Sequence, residues 1–339
     1  MKHFTATEND TGVRLSRFVQ SVTLNMPNSL LYKSFRNKRI KVNGKKADAE
    51  TRLQAGDLIE LYINDEFFAT TTATTSSNDA QATGEHAASP ITIKPTPAQQ
   101  PNVTVIFEDD NIAVLYKPAG LLCHSDITGD ANLVDAFIAY LITQGSFDPA
   151  REQRFKPSIC NRLDRGTEGL VIAAKNYATL RDMNEIIRTD CLKKEYYTIT
   201  IGTPRVGRFT AWWSHNEALR KVSIHANQDS KKTRKNIITD IDVLKVENEF
   251  SLCKIGLITG RTHQIRAHLA YLGKPVLGDI KYGNRAINQK TGTKTQALCA
   301  AKISFSHIPA QNTLAYLNGK VIKLKDPQIL KQFEALTQT

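Results

Sequence analysis

Residues 161–170 read NRLDRGTEGL and set one carboxylate, Asp164, between the guanidiniums of Arg162 and Arg165. Positive charge on both sides favours the ionised form of the acid. A carboxylate held that way suits nucleophilic attack, and arginines beside it suit a polyanion whose phosphates they can grip. About a hundred residues later comes a second dense block, 257–283, LITGRTHQIRAHLAYLGKPVLGDIKYG. An Arg-x-Asp-Arg stretch taken alone is most often a surface ion-pair network. The segments around it decide between the two readings.

Those segments come in a definite order. Glu108-Asp109-Asp110, Lys117-Pro118-Ala119-Gly120 and His124 precede Asp164, and Lys194-Glu195-Tyr196 lies between the two blocks, six residues before Gly202. From about Val103 to Asp326 the chain resembles the RluA family of pseudouridine synthases. Residues 161–170 are similar to its His-Arg-Leu-Asp-x-x-Thr-Ser-Gly stretch, and 260–268 to its Gly-Arg-Thr-His-Gln-Ile-Arg-x-His segment. Three positions depart from that pattern: Asn161 stands for the usual His, Glu168 for Ser, and Lys274 for the His of Gly-His-Pro.

The resemblance implies an α+β fold, a mixed and largely antiparallel sheet with helices around a catalytic cleft. It implies that Asp164 is the nucleophile that attacks the target uridine, after which the base detaches, turns and rejoins the ribose through carbon. Tyr196 then stacks on the flipped uracil and assists late proton removal, and Arg162 fills the gap left by the departed base. Arg266 is our choice for the ion-pair partner of Asp164, with Arg261 as the nearest rival. Arg165 and Arg261 are assigned to RNA binding, and His263 and Gln264 to hydrogen bonds within the cleft or to RNA. Asp279 and Tyr282 are expected to brace the second block, and Tyr197, on the opposite face of its strand, to pack in the core. The reaction has no redox step, so no cofactor is implied.

Composition limits the alternatives. The 339 residues suffice for two domains. Lys and Arg number 45 against 33 Asp and Glu, giving +12, which favours nucleic acid first and an anionic membrane second. No apolar run approaches the roughly 20 residues that span a bilayer, and MKHFTATENDTG at the start lacks the apolar stretch of a signal peptide. Five widely spaced cysteines fit free thiols in a reducing cytoplasm. His263 and His268 lie five apart, but Arg261 and Arg266 interleave with them, so no metal site is expected. The sequence contains no phosphate-binding GxxxxGK[ST] loop and no GxGxxG after a strand, which counts against nucleotide-driven enzymes.

Two composition shifts divide the chain. Residues 69–101, rich in Thr, Ala, Ser and Pro, read as a flexible linker. Before it, residues 1–68 carry helical patterns at Leu15 to Val22 and Leu30 to Phe35, then a strand, an Asn43-Gly44 turn and another strand from Leu58 to Ile63. Lys33, Arg36, Lys38, Arg39, Lys41, Lys45 and Lys46 fall within fourteen acid-free residues. A helix-plus-hairpin unit would gather them on one side. That unit resembles the small RNA-binding domain named after ribosomal small-subunit protein four, the S-four domain.

After the linker, residues 102–339 form the expected catalytic domain. Strands are read at Val103 to Phe107, Ile112 to Tyr116, Leu170 to Ala174, Tyr197 to Ile201, Ile237 to Leu244 and Leu252 to Leu257. Helices are read at Ala131 to Thr143, Tyr177 to Arg188 and His263 to Leu272. Irregular strand and helix order argues for α+β over a doubly wound parallel sheet. The Lys231-Lys232-Thr233-Arg234-Lys235 cluster reads as a loop, either touching the RNA backbone or simply solvated. The whole describes a cytoplasmic, monomeric RNA pseudouridine synthase without cofactor, membrane or obligate protein partner. The resemblance points to large-subunit ribosomal RNA, with transfer RNA, or a non-catalytic role in ribosome assembly, as alternatives.

Overall fold

Leu15, Phe18, Val19 and Val22 recur at helical spacing, and three of the four are buried with the fourth packed against them. The computed structural model describes residues 1–23, 26–64, 67–68, 102–149, 155–216, 221–230 and 233–337. The linker read at 69–101 and the pair Lys231-Lys232 lie outside the described residues. The chain divides into two compact units. One comprises Met1–Ala98, Leu141–Lys156 and Asn176–Ala178, the other Gln99–Tyr140, Pro157–Lys175 and Thr179–Thr339. The first unit thus includes two short stretches, Leu141–Lys156 and Asn176–Ala178, from within the segment expected as the catalytic domain.

In the first unit, β1 (Lys2–Thr5), α1 (Leu15–Val22), α2 (Asn28–Arg36), β2 (Ile40–Val42), β3 (Lys45–Lys46) and β4 (Leu58–Leu61) follow in order. The sheet runs β1-β4-β2-β3, antiparallel throughout. Asn43 and Gly44, at φ 52° and 74°, close the β2–β3 hairpin with the two positive φ angles that such a tight turn demands. Leu15, Phe18, Leu31, Ile40, Ile59 and Leu61 make the core.

The second unit is built on strands β5 (Thr104–Glu108), β6 (Ile112–Lys117), β7 (Ser158–Ile159), β8 (Glu168–Ala174), β9 (Leu192–Ile201), β10 (Gly207–Asn216), β11 (Lys221–His225), β12 (Lys235–Glu247), β13 (Phe250–Leu257), β14 (Leu298–Phe305) and β15 (Val321–Lys323). The helices after residue 102 are α3 (Leu133–Thr143) and α4 (Tyr177–Arg188), each divided between the units, and α5 (Gln264–Tyr271), α6 (Arg285–Lys290) and α7 (Gln328–Thr337). Eleven strands form one sheet in the order β11-β10-β12-β13-β9-β14-β8-β6-β5, with β15 on β14 and β7 on β8. Its pairings are antiparallel except β14 with β8. The expected mixed, largely antiparallel α+β fold is what forms.

That parallel seam positions the site. Ala300 in β14 pairs with Gly169 on one side and Tyr196 on the other. Gly169 has φ 120°, and a Cβ there would come within 2.3 Å of the Ala300 carbonyl oxygen, so only glycine lets β8 approach so closely. The loop carrying Asp164 and the strand carrying Tyr196 are thereby tied to one central strand. No described helix is long and apolar enough to cross a membrane.

Candidate active site

The loop between β7 and β8 is anchored along its length. Asn161 Oδ1 accepts from the Ile172 amide at 2.8 Å, which gives the departure from His a role in stitching the loop to β8. Leu163 N donates to Cys123 Sγ at 3.3 Å, and Thr167 N closes a turn onto the Asp164 carbonyl at 3.0 Å. Gln296 Nε2 donates to Thr167 Oγ1 at 3.2 Å. The other departure, Glu168, accepts from the Tyr116 hydroxyl at 2.8 Å.

Lys117 contributes more than the sequence suggested. It ends the apolar strand β6 fully buried, and its Nζ donates to the carbonyls of Pro118 (3.0 Å), Leu121 (2.8 Å) and Arg165 (3.0 Å). Burial pushes its pKa down to about 8. The Lys-Pro turn is common in sequence and signals nothing by itself, although a buried lysine at the end of a largely buried strand has to find acceptors.

On this frame Asp164 meets Arg266, 102 residues away. Arg266 Nη1 donates to Asp164 Oδ2 at 2.7 Å, while Nε and Nη2 grip Asp279 at 2.7 and 3.0 Å. The Asp279 side chain is 0% exposed and Asp164 26%, so the guanidinium joins a buried acid to a partly open one. Burial would raise the Asp279 pKa, but the bidentate arginine and the amides of Lys281 and Tyr282 bring it below the usual carboxylate value. His263 Nε2 lies 3.8 Å from Asp164 Oδ1, and its Nδ1 is 2.9 Å from the Tyr282 hydroxyl. Burial lowers the His263 pKa, against the pull of Asp164, which keeps the ring neutral near pH 7. Tyr282 braces the segment as expected, with its ring 5.4 Å from the Arg266 guanidinium carbon.

Tyr196 is the fifth residue of β9, which begins at Leu192, five residues before the strand start read at Tyr197. It is buried and shares a small recess of about 70 Å³ with Asp164, Thr167, Arg261, His263 and Arg266. Burial, then the charge of Asp164, raises its phenol pKa, so the hydroxyl keeps its proton at neutral pH. Tyr197 is half-buried against the Ile199 cluster. The recess adjoins a cleft of about 950 Å³ whose lining includes Arg162, Arg165, Lys194, Arg261, Lys281 and Lys294.

Some expectations need correction. The two arginines flanking Asp164 in sequence are not its partners: Arg165 bonds to Asp130 at 2.9 Å and to the Gly120 carbonyl at 3.1 Å, and Arg162 is exposed in the cleft. Sequence neighbours in a tight turn point apart. Gln264 is not available to RNA. It is 2% exposed, with Oε1 accepting from Thr259 and the Arg261 amide and Nε2 donating to Ile238 O and Thr239. His263 is not helical; it precedes α5 at φ 53°. His268 turns away to Thr239 at 3.0 Å, so the two histidines do not converge on one point. Arg234 of the later basic cluster is spent on the Asn227 carbonyl at 2.7 Å. Trp213 was not singled out, yet its Nε1 donates to Thr262 O at 3.0 Å and holds the Arg261–His263 loop.

Of the remaining expected residues, Arg261 is exposed on the cleft wall. Lys33, Arg36, Lys38 and Arg39 are exposed in the first unit, and Lys41 is half-buried there with its Nζ 5.1 Å from the Tyr62 ring centre.

Residues 111–271 match the RNA pseudouridylate synthase family. A ribosomal large subunit pseudouridine synthase C from Rickettsia prowazekii is 32% identical over 81% of this chain and 83% of its own. The chain belongs to the pseudouridine synthase family. Another synthase C, from Vibrio cholerae, is 27% identical over 91% of this chain and 89% of its own. An uncharacterized RNA pseudouridine synthase of Mycoplasma capricolum is 29% identical over 96% and 98%. Among solved structures, human RNA pseudouridylate synthase domain containing 4 covers 69% of this chain and 92% of its own, at TM-score 0.53 and 21% identity, a likeness of fold. The protein is an RNA pseudouridine synthase, an enzyme that isomerises uridine.

Proposed function

We propose that this synthase modifies uridines of large-subunit ribosomal RNA in the cytoplasm, with Asp164 as nucleophile, Arg266 as its partner and Tyr196 as the surface on which the extruded uracil rests. The observation that carries the assignment is the Asp164 carboxylate, partly open to the cleft, bonded to Arg266 at 2.7 Å and sharing a recess with Tyr196. The ribosomal substrate is supported by relatives named ribosomal large subunit pseudouridine synthase C.

Asp164 attacks the target uridine, the bond from N1 to the ribose breaks, and the freed ring turns. A bond from C5 to the same ribose carbon then forms, the C5 proton leaves, and Asp164 is released. Arg266 keeps Asp164 oriented because Asp279 holds the guanidinium from behind. The raised phenol pKa supports Tyr196 as a neutral stacking partner over a phenolate base. Arg162 reaches from the cleft into the space left by the base, since a planar, always charged side chain can stack and hydrogen-bond there. Residues 102–339 form the catalytic domain, and the stretch 69–101 tethers it to the RNA-binding module of residues 1–68. That module resembles the S-four domain, and its exposed Lys33, Arg36, Lys38 and Arg39 carry charge toward phosphates. Lys41 stands directly opposite Lys46 across β2 and β3, a like-charge pairing that a bound anion relieves.

Mapping pseudouridine in ribosomal and transfer RNA from cells with and without the gene tests the reading. Loss confined to sites in the large-subunit RNA is the expected result. Loss confined to transfer RNA overturns the substrate, and tritium retained on C5-labelled uracil in every RNA tried with purified protein overturns the activity.

A further inference from the structure

Lys194 lines the catalytic cleft without a salt bridge or hydrogen bond among the described residues, unlike several lysines of the second unit. Lys117 is held by three carbonyls, Lys175 by Glu108 at 2.9 Å, Lys254 by Asp242 at 3.0 Å and Lys302 by Glu195 at 3.7 Å. Lys194 is partly buried, yet among the described residues its Nζ has neither a hydrogen-bond nor an ion-pair partner. Burial lowers the Lys194 pKa against the opposing charge of Asp190, so a further anion at the half-buried ammonium is favourable.

Its position is informative. Alternation along β9 puts Lys194 on the same face as Tyr196, about 7 Å further along the strand. It lines the cleft with Arg162, Gly260 and Arg261, and a Cβ added to Gly260 would lie 3.6 Å from its Nζ. Arg162 and Arg261 on that lining are exposed, whereas Lys194 is half-buried on a strand of the central sheet. From Tyr196 to Lys194 is within the span of a single nucleotide. The charge is therefore fixed where the backbone of a strand must pass when its base rests on Tyr196.

We infer that Lys194 is the seat of a phosphodiester group, the one at or beside the target nucleotide, and that it sets the register of the RNA strand in the cleft. This rests on the proposed placing of the uracil against Tyr196. Binding of the phosphate gives the ammonium an anion in direct contact, which the folded protein by itself does not.

The test uses the full-length protein with Lys194→Met, Lys194→Gln and Lys194→Arg. Turnover, RNA affinity at several salt concentrations and thermal melting are measured for each. Removing the charge raises KM and Kd about tenfold, the loss expected of one charge-assisted contact. It also flattens the log–log salt dependence by about 0.7 for a single-stranded site. Lys194→Arg recovers most of the affinity and the slope, and Lys194→Met melts at or above the parent temperature, because no partner is abandoned. Parental affinity and slope in both neutral variants overturn the inference, as does Lys194→Arg behaving like Lys194→Met. A lowered melting temperature with the loss falling on kcat also overturns it, since that marks a structural lysine. An inactive parent protein would instead remove the functional reading, while the affinity and salt data still judge the phosphate seat.

Discussion

The Asp164 cleft and the basic run of the first unit handle charge in opposite ways. In the cleft, Asp164, Arg266 and Asp279 form a closed chain of short bonds, with Arg266 and Asp279 withdrawn from solvent. In the first unit, Lys33, Arg36, Lys38 and Arg39 stand exposed around α2 and the start of β2. Withdrawn charges must be matched in number and direction, so each partner is specified and little can be exchanged. Exposed cations interact weakly and with any phosphate within reach. The contrast suits a division of labour in which one region does stereochemically demanding work and the other supplies general attraction.

The comparison can be broken most directly at its centre. Asp164→Asn should lower turnover by at least about a thousandfold, as loss of a nucleophile does. RNA affinity and melting temperature should stay near parental values, because Arg266 keeps its grip on Asp279. Tritium release and filter binding measure the two, and residual turnover within tenfold of the parent would remove Asp164 from its role.

Arg266→Met probes the closed chain as structure. It strands a fully buried Asp279, so urea denaturation should show a loss of about 3–5 kcal/mol. A stability unchanged from the parent would mean the chain is no more demanding than the exposed run.

Acid titration sharpens the same point at His268, buried with its Nδ1 on Thr239 and its pKa lowered by burial to about 4. The unfolded side chain binds a proton near pH 6.5 while the folded one resists it to about pH 4. This contribution is therefore complete above pH 6.5 and fades as pH falls to 4, by about 3 kcal/mol in all. Stability measured across that window should fall less steeply in His268→Gln, and an identical slope would show that His268 does not titrate as buried.

The smallest effects belong to the exposed run. Lys33→Gln and Arg36→Gln should each change stability by less than about 0.5 kcal/mol. Each should nevertheless flatten the salt dependence of RNA binding by about 0.7 if it meets a phosphate of a single strand. An unchanged slope would make the run solvated charge.

Much of the local structure was legible because side-chain periodicity reports which face of an element is covered. Helix α1 at Leu15–Val22 and helix α4 at Tyr177–Arg188 have the limits that their apolar spacing predicts. Strands β1, β7, β10, β11, β14 and β15 and helices α6 and α7 went unread. The β14 segment, LCAAKISF, is small and apolar enough to pass for several things, and its strand identity comes from Gly169 and Tyr196 on either side. The fate of Gln264 was equally hidden, since a polar side chain looks available until its four partners are in place.

The amino-acid order by itself determined the chemical inventory: an acid amid cations, a tyrosine on a later strand, a basic amino-terminal run, and the spacing that ties them to a family. These follow from composition and short-range periodicity, which need no knowledge of long-range pairing. Only the tertiary structure decided that Arg266 joins Asp164 to a buried Asp279 and that Arg165 turns away to Asp130. Direction of a side chain across 102 residues depends on strand pairing through β14, and no local pattern records which strands meet.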